Sequence, residues 1–404
     1  MHIPRKRLFW VVGLGHLTND VFMSMSSVIL AFLSASVLPM SNTQIGFAIS
    51  ATQLAGALSQ PFFGWRADRS GGRWLAAGGV AWNVSLFVLA IFLAVTTHEY
   101  WLLFIPLVLR GLGSGAFHPV GSLHAAEAER EHVAGNMALF FLAGQMGLAI
   151  GPALAGFLLD LANPAGPTPD ANFAPLFALA LAAVPGVLGM AFYIPNHKAH
   201  RDNMDALDAD KPVAPRLAIP WRAFAILGLL VGLRSLAQPG SVAFIPVLFQ
   251  QKGWDPAQYG LITSFFWVAA GISGVYFGHL ADRYDRRRVI MWSLVTGAVA
   301  YFLLPLFDNA LAFVLAIAAG GLTGGSHSII VVLAQELIPA SKGFASGAIL
   351  GFIFGMGALG SFIIGSISDG IGLGTTFQLV AISTAIAGLL ALVLPSRNAK
   401  VEEN

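Results

Sequence analysis

The stretch Gly15-His16-Leu17-Thr18-Asn19-Asp20 lies inside an apolar run from Leu8 to Leu38. Asp20 is twelve residues past Leu8, about 18 Å along a helix and near the middle of a hydrocarbon layer about 30 Å thick. A carboxylate at that depth is costly to hold, so it is expected to have a function. Two arginines occupy similar settings: Arg234 about twelve residues into its run and Arg110 about nine into another. Carboxylates and imidazoles take up and release protons, and a guanidinium suits carboxylate or phosphonate groups. His16 stands four residues before Asp20, and Ser114 and His118 follow Arg110 at i+4 and i+8, so each set shares roughly one helix face. Gln145, Gln238, Thr323, His327 and Ser328 add polar groups to further apolar runs.

The elements that position these groups must be membrane helices. Of the 404 residues, 56% are hydrophobic and only 10% charged, against about a quarter charged in a soluble domain. Twelve runs of spanning length are read, at about 8–38, 44–64, 74–96, 101–124, 135–159, 173–194, 221–248, 258–279, 289–306, 310–334, 344–368 and 375–395. The expected class is an all-α integral membrane protein. The expected domains are an N-terminal six-helix bundle (1–194), a cytoplasmic linker (195–220) and a C-terminal six-helix bundle (221–404). Basic residues such as Arg5, Lys6, Arg7, Arg66, Arg69, Arg73, Arg283, Arg286, Arg287 and Arg288 gather on one side and only Lys252 on the other. This sets both termini in the cytoplasm.

Composition also excludes functions. Cysteine is absent, so there is no disulfide framework and no cysteine-based metal site. No metal-binding motif is read. A net charge of +2 gives no reason to expect a nucleic-acid partner. The chain has no HExxH, Walker A or GxSxG in a suitable context, so an enzyme is not expected, nor an ATP-driven pump.

An internal repeat carries the next step. Gly64-Trp65-Arg66-Ala67-Asp68-Arg69 recurs 214 positions later as Gly278-His279-Leu280-Ala281-Asp282-Arg283, and Gln44-Ile45-Gly46 recurs in the same register as Gln258-Tyr259-Gly260. Both copies fall on one side of the membrane, as in parallel repeats. Gly64-x-x-Ala67-Asp68-Arg69-x-Gly71-x-Arg73, read as a loop after the second run, resembles the signature of the major facilitator superfamily. Gly147-x-x-x-Gly151-Pro152-x-x-x-Gly156 resembles that family's antiporter-associated motif. Gln60-Pro61-x-x-Gly64, Gly113-Ser114-Gly115-x-Phe117-His118-Pro119 and Val331-Val332-Leu333-Ala334-Gln335-Glu336-Leu337-Ile338-Pro339 resemble the fosmidomycin-resistance-type group of exporters.

The resemblance implies the major facilitator fold, two pseudo-symmetric bundles working by alternating access, with helices 1, 4, 7 and 10 lining a central cavity. It implies proton-driven export of a small anionic or amphipathic compound from the cell inner membrane by a monomer, with the proton gradient as energy source and no cofactor. Import of a small organic anion and transport of lipid-like compounds are the alternatives. Asp20, His16 and His118 are the expected proton-coupling residues. Asp20, Arg110, Ser114, Arg234, Gln238, His327 and Gln145 are the expected substrate contacts. A cytoplasmic gate is expected from Asp68, Arg69, Arg73, Glu127, Asp282, Arg283 and Glu336. The 214 offset carries Asp20 onto Arg234, so the two are expected to pair across the pseudo-twofold axis.

Overall fold

A computed structural model describes residues 4–70, 72–195, 221–337 and 342–394. It is all-helical. The long helices are α1 (Arg7–Ala35), α2 (Asn42–Ser70), α3 (Arg73–Thr97), α4 (Tyr100–Ala128), α5 (Val133–Ala162) and α6 (Ala174–Tyr193), followed by α7 (Trp221–Gln251), α8 (Pro256–Arg283), α9 (Arg286–Leu306), α10 (Ala310–Leu337), α11 (Lys342–Ile371) and α12 (Leu373–Val393). Eleven helices among the described residues are long and apolar enough to cross a membrane. In lipid every backbone polar group needs an internal partner, and a helix supplies it within one segment. The remaining helix, α2, has the length at 29 residues but carries more polar side chains.

Most helices extend past their expected ends, whereas α1 stops at Ala35 and α6 is a residue shorter at each end. Several helices run 28–30 residues, about 42–45 Å, well past a hydrocarbon layer about 30 Å thick. The family signature is therefore helical rather than a loop: α2 continues to Ser70 and its repeat is the last turn of α8, ending at Arg283. A hydropathy boundary marks where lipid stops, and the backbone there has no reason to uncoil.

The chain divides into two compact units. One holds 1–40, 51–212 and 254–264; the other holds 41–50, 213–253 and 265–404. In the first unit α1 packs closely against α5, and glycine makes this approach achievable. A methyl on Gly147 would meet the Leu17 carbonyl oxygen at 2.6 Å and Asp20 Cβ at 2.8 Å; one on Gly144 would meet His16 Cε1 and Nε2 at 2.5 Å and Asp20 Oδ2 at 2.8 Å. The sequence motif thus forms the surface on which α1 and its carboxylate rest.

In the second unit α7 is not the continuous helix expected over 221–248. It breaks at Leu236–Gly240, where Gln238 is extended (φ −146°, ψ 119°) and Pro239 lacks an N–H. The carbonyls that the break frees are met by side chains. Tyr301 Oη and Ser241 Oγ donate to Ala237 O at 2.7 and 2.9 Å, and Ser361 Oγ donates to Gly240 O at 3.0 Å. Irregular backbone at this depth persists where protein partners replace the lost bonds.

Candidate functional site

The first unit gathers its polar groups around Asp20. His16 Nε2 lies 3.3 Å from Asp20 Oδ2, and His118 Nε2, from α4, lies 3.6 Å from Asp20 Oδ1. The donor atoms of the three lie within 4.8 Å of one another. Side-chain exposure falls from 29% at His118 to 12% at Asp20 and 5% at His16, so His118 is the open end. His16 is stacked on Phe140 of α5, ring centroids 4.1 Å apart.

The protonation pattern follows from the other ring nitrogens. His16 Nδ1 lies 2.8 Å from Phe140 O, and His118 Nδ1 lies 2.8 Å from Ser114 O. A carbonyl oxygen only accepts, so each Nδ1 carries the hydrogen. In a neutral ring Nε2 would then turn a lone pair toward a carboxylate oxygen, which is repulsive. A positive species in the gap removes the conflict. The two imidazoles address different carboxylate oxygens. A proton on Nε2 makes the ring an imidazolium paired with Asp20, and transfer across the gap neutralises both.

A second set of contacts, from asparagines, also reaches Asp20 Oδ1. Asn19 Nδ2 donates to Asp20 Oδ1 at 2.9 Å and to Ser114 Oγ at 3.0 Å. Asn83 of α3 donates to Asn19 Oδ1 at 2.8 Å. Both asparagines are fully buried. Asn83 stands as an amide alone in an apolar run, and Asn19 sits beside Thr18 and Asp20.

Arg110 lies close by but has no exposure. Its Nε donates to Asn83 Oδ1 at 2.8 Å, Nη1 to Ser26 Oγ at 2.9 Å, and Nη2 to Phe22 O at 2.6 Å and Met23 Sδ at 3.4 Å. The guanidinium also sits over Phe87, 4.7 Å from the ring centroid. Of the five N–H groups of an arginine, four are thus directed at neighbours on α1 and α3, and little of the fork expected for an anion is open. Gln145 is exposed, on a different face of α5 from Gly144.

In the second unit Arg234 is held in the same way. Nε donates to Ser326 Oγ at 3.2 Å, Nη1 to Gln238 O at 3.1 Å, and Nη2 to Gln238 Oε1 at 2.7 Å and Thr323 O at 3.1 Å. The expected pairing of Asp20 with Arg234 is not needed to satisfy either group: each finds its partners within its own unit, Arg234 on the α7 break and α10. His327 is half-buried on α10.

The expected gate residues divide. Arg73 Nε donates to the Ile194 carbonyl at 2.6 Å rather than to a carboxylate. Arg69 lies over the Trp65 ring at 3.8 Å, and Glu127 lies 3.7 Å from His124. Asp68 falls in α2, but its side chain is outside the described residues. In the second unit Glu336 pairs with Arg286, while Asp282 and Arg283 are exposed. Asp285 caps α9 by accepting from Arg287 N at 3.0 Å and also binds the Arg287 guanidinium. That guanidinium holds the Asp285 carboxyl below the usual range.

Comparison with known proteins agrees with this architecture. The chain is 27% identical over 393 residues to a fosmidomycin resistance protein of Escherichia coli, covering 96% of this chain and 93% of that one. It is 28% identical to an uncharacterized MFS-type transporter, YfnC, of Bacillus subtilis, covering 96% and 92%. Among solved structures, a D-xylose-proton symporter superposes with a TM-score of 0.76 at 15% identity, over 96% of this chain and 97% of that one. The nucleoside transporter NupG superposes at 0.70 and 14%, over 96% and 98%. The sequence model of the Major Facilitator Superfamily matches residues 12–251 and 227–404. The chain is therefore a member of the Major Facilitator Superfamily, a multi-pass membrane transporter of small molecules and not an enzyme.

Proposed function

We propose that the chain is a proton-coupled antiporter that exports a small organic anion across the cell inner membrane, with both termini in the cytoplasm. The observation that carries the reading is the His16–Asp20–His118 cluster: two imidazoles with Nδ1 committed to carbonyl oxygens and Nε2 turned toward one buried carboxylate. Such a cluster cycles between an ionised and a protonated carboxylate with small movements of the rings. Protons arrive at the more exposed His118 and pass to Asp20.

Export is supported by the names of relatives: a fosmidomycin resistance protein over nearly the whole chain, and a putative multidrug resistance protein, MdtD, of Yersinia pestis at 27% identity over 48% of it. The anionic character of the substrate rests on two buried arginines, Arg110 and Arg234, whose described acceptors are neutral. Because most of their N–H groups are occupied, they attract an anion through their field rather than by an open fork.

The test is resistance conferred on a pump-deficient host, with fosmidomycin first and other anionic compounds after it. Expression of the wild-type chain raises the tolerated concentration of at least one such compound, and Asp20→Asn at equal expression does not. Resistance that survives Asp20→Asn would remove the carboxylate from the mechanism.

A further inference from the structure

Each imidazole of the Asp20 cluster is fixed in one tautomer by a backbone carbonyl. His16 Nδ1 is held by Phe140 O and His118 Nδ1 by Ser114 O, both at 2.8 Å. Nε2 of each ring is then left with a lone pair, and both are turned to one carboxylate. Histidines that bind metal ions are built in this way, the far ring nitrogen donating to a carbonyl or carboxylate. The carboxylate has support of its own. Asn19 Nδ2 donates to Asp20 Oδ1 at 2.9 Å, and Asn83 Nδ2 holds Asn19 Oδ1 at 2.8 Å. All three donor groups therefore have a hydrogen-bonded partner behind them.

The spacing fits a single ion. A nitrogen and an oxygen bound to one tetrahedral zinc ion lie about 3.3–3.5 Å apart. His16 Nε2 is 3.3 Å from Asp20 Oδ2, and His118 Nε2 is 3.6 Å from Asp20 Oδ1. The three groups present donor atoms within 4.8 Å of one another. His16 is pinned by its stack on Phe140. His118, the most exposed of the three, has room to close on an ion. Two imidazoles and a carboxylate suit a divalent transition metal, whereas magnesium and calcium take oxygen ligands.

We propose that His16, Asp20 and His118 form a three-ligand site for a divalent transition-metal ion of the zinc class, reached from the His118 side, with a fourth position left open. This goes beyond the proton reading and does not depend on it, because it needs only the tautomers and the spacing. Its consequence is competition: an ion held there occupies the lone pairs that a proton would take. One ion also removes, for both rings at once, the repulsion between Nε2 and carboxylate.

The test uses the full chain, purified in detergent with any affinity tag removed, and zinc chloride as the probe. Calorimetric titration gives one zinc ion bound per chain, and excess magnesium chloride does not displace it. The zinc X-ray absorption edge shows imidazole nitrogen in the coordination shell at about 2.0–2.1 Å. His16→Gln, His118→Gln and Asp20→Asn each weaken binding by at least the roughly 10–100-fold that loss of a supporting hydrogen-bond partner costs. His279→Gln, an exposed histidine on α8, leaves it unchanged. His118→Gln carries the most weight, since it alters the least buried of the three and leaves His16 and Asp20 in place. No zinc bound by wild type, an edge without imidazole, or equal affinity in folded His118→Gln would overturn the proposal. The proton reading is judged apart from it. Transport lost in Asp20→Asn by a chain that binds no zinc removes the metal site alone. Zinc bound by wild type with transport intact in Asp20→Asn keeps the site and removes the proton role.

Discussion

Asp20 is addressed by three side chains, His16 and Asn19 from its own helix and His118 from α4, and each of these is anchored by a further group. A buried carboxylate is tolerable on those terms, since the cost of leaving water is offset only when its lone pairs are met. Asn19 is central, because it both donates to Asp20 and Ser114 and accepts from Asn83. In Asn19→Leu the Asn83 amide and the Asp20 oxygen each lose a partner. The expected loss is about 1–3 kcal/mol, read as a lowered thermal midpoint in detergent; an unchanged midpoint would show that the network contributes nothing to stability. The sequence displayed Asp20, His16 and His118 as candidates because ionisable residues stand out in an apolar run. It did not display Asn19 and Asn83 as their supports, because the bonds join residues 64 positions apart, and only packing brings them together.

At the scale of elements, α5 decides how close α1 comes. Gly144 and Gly147 face the cluster where a side chain would collide with it. In Gly144→Ala the added methyl meets His16 and Asp20 directly, so His16 must withdraw. The variant is expected to lose pH-gradient-driven transport while remaining folded. Gly135→Ala on the same helix, with nothing within 4 Å of the added methyl, retains it. Equal activity of the two variants would show that the α1–α5 approach does not position the proton site. The glycine spacing of α5 was legible as a packing motif, but what it packed against was not. The break in α7 was written in Gln238-Pro239-Gly240, yet hydropathy alone carried the run straight through it.

For the whole molecule, low charge, twelve apolar runs and a repeat in register were enough to reach the fold, because the bilayer leaves few architectures open. They did not foretell that Asp20 and Arg234 would each be satisfied within its own unit. A pattern that places two charges at one depth says nothing of the neutral partners around each. If coupling is local to the first unit, one carboxylate carries the link between proton and substrate. The direct measurement uses purified protein in proteoliposomes, with a compound to which the chain confers resistance and an imposed pH gradient. The account predicts accumulation of the compound against its own gradient, opposite to the proton flow, in wild type and not in Asp20→Asn. Accumulation that persists in Asp20→Asn, or that is indifferent to the pH gradient in wild type, would contradict it.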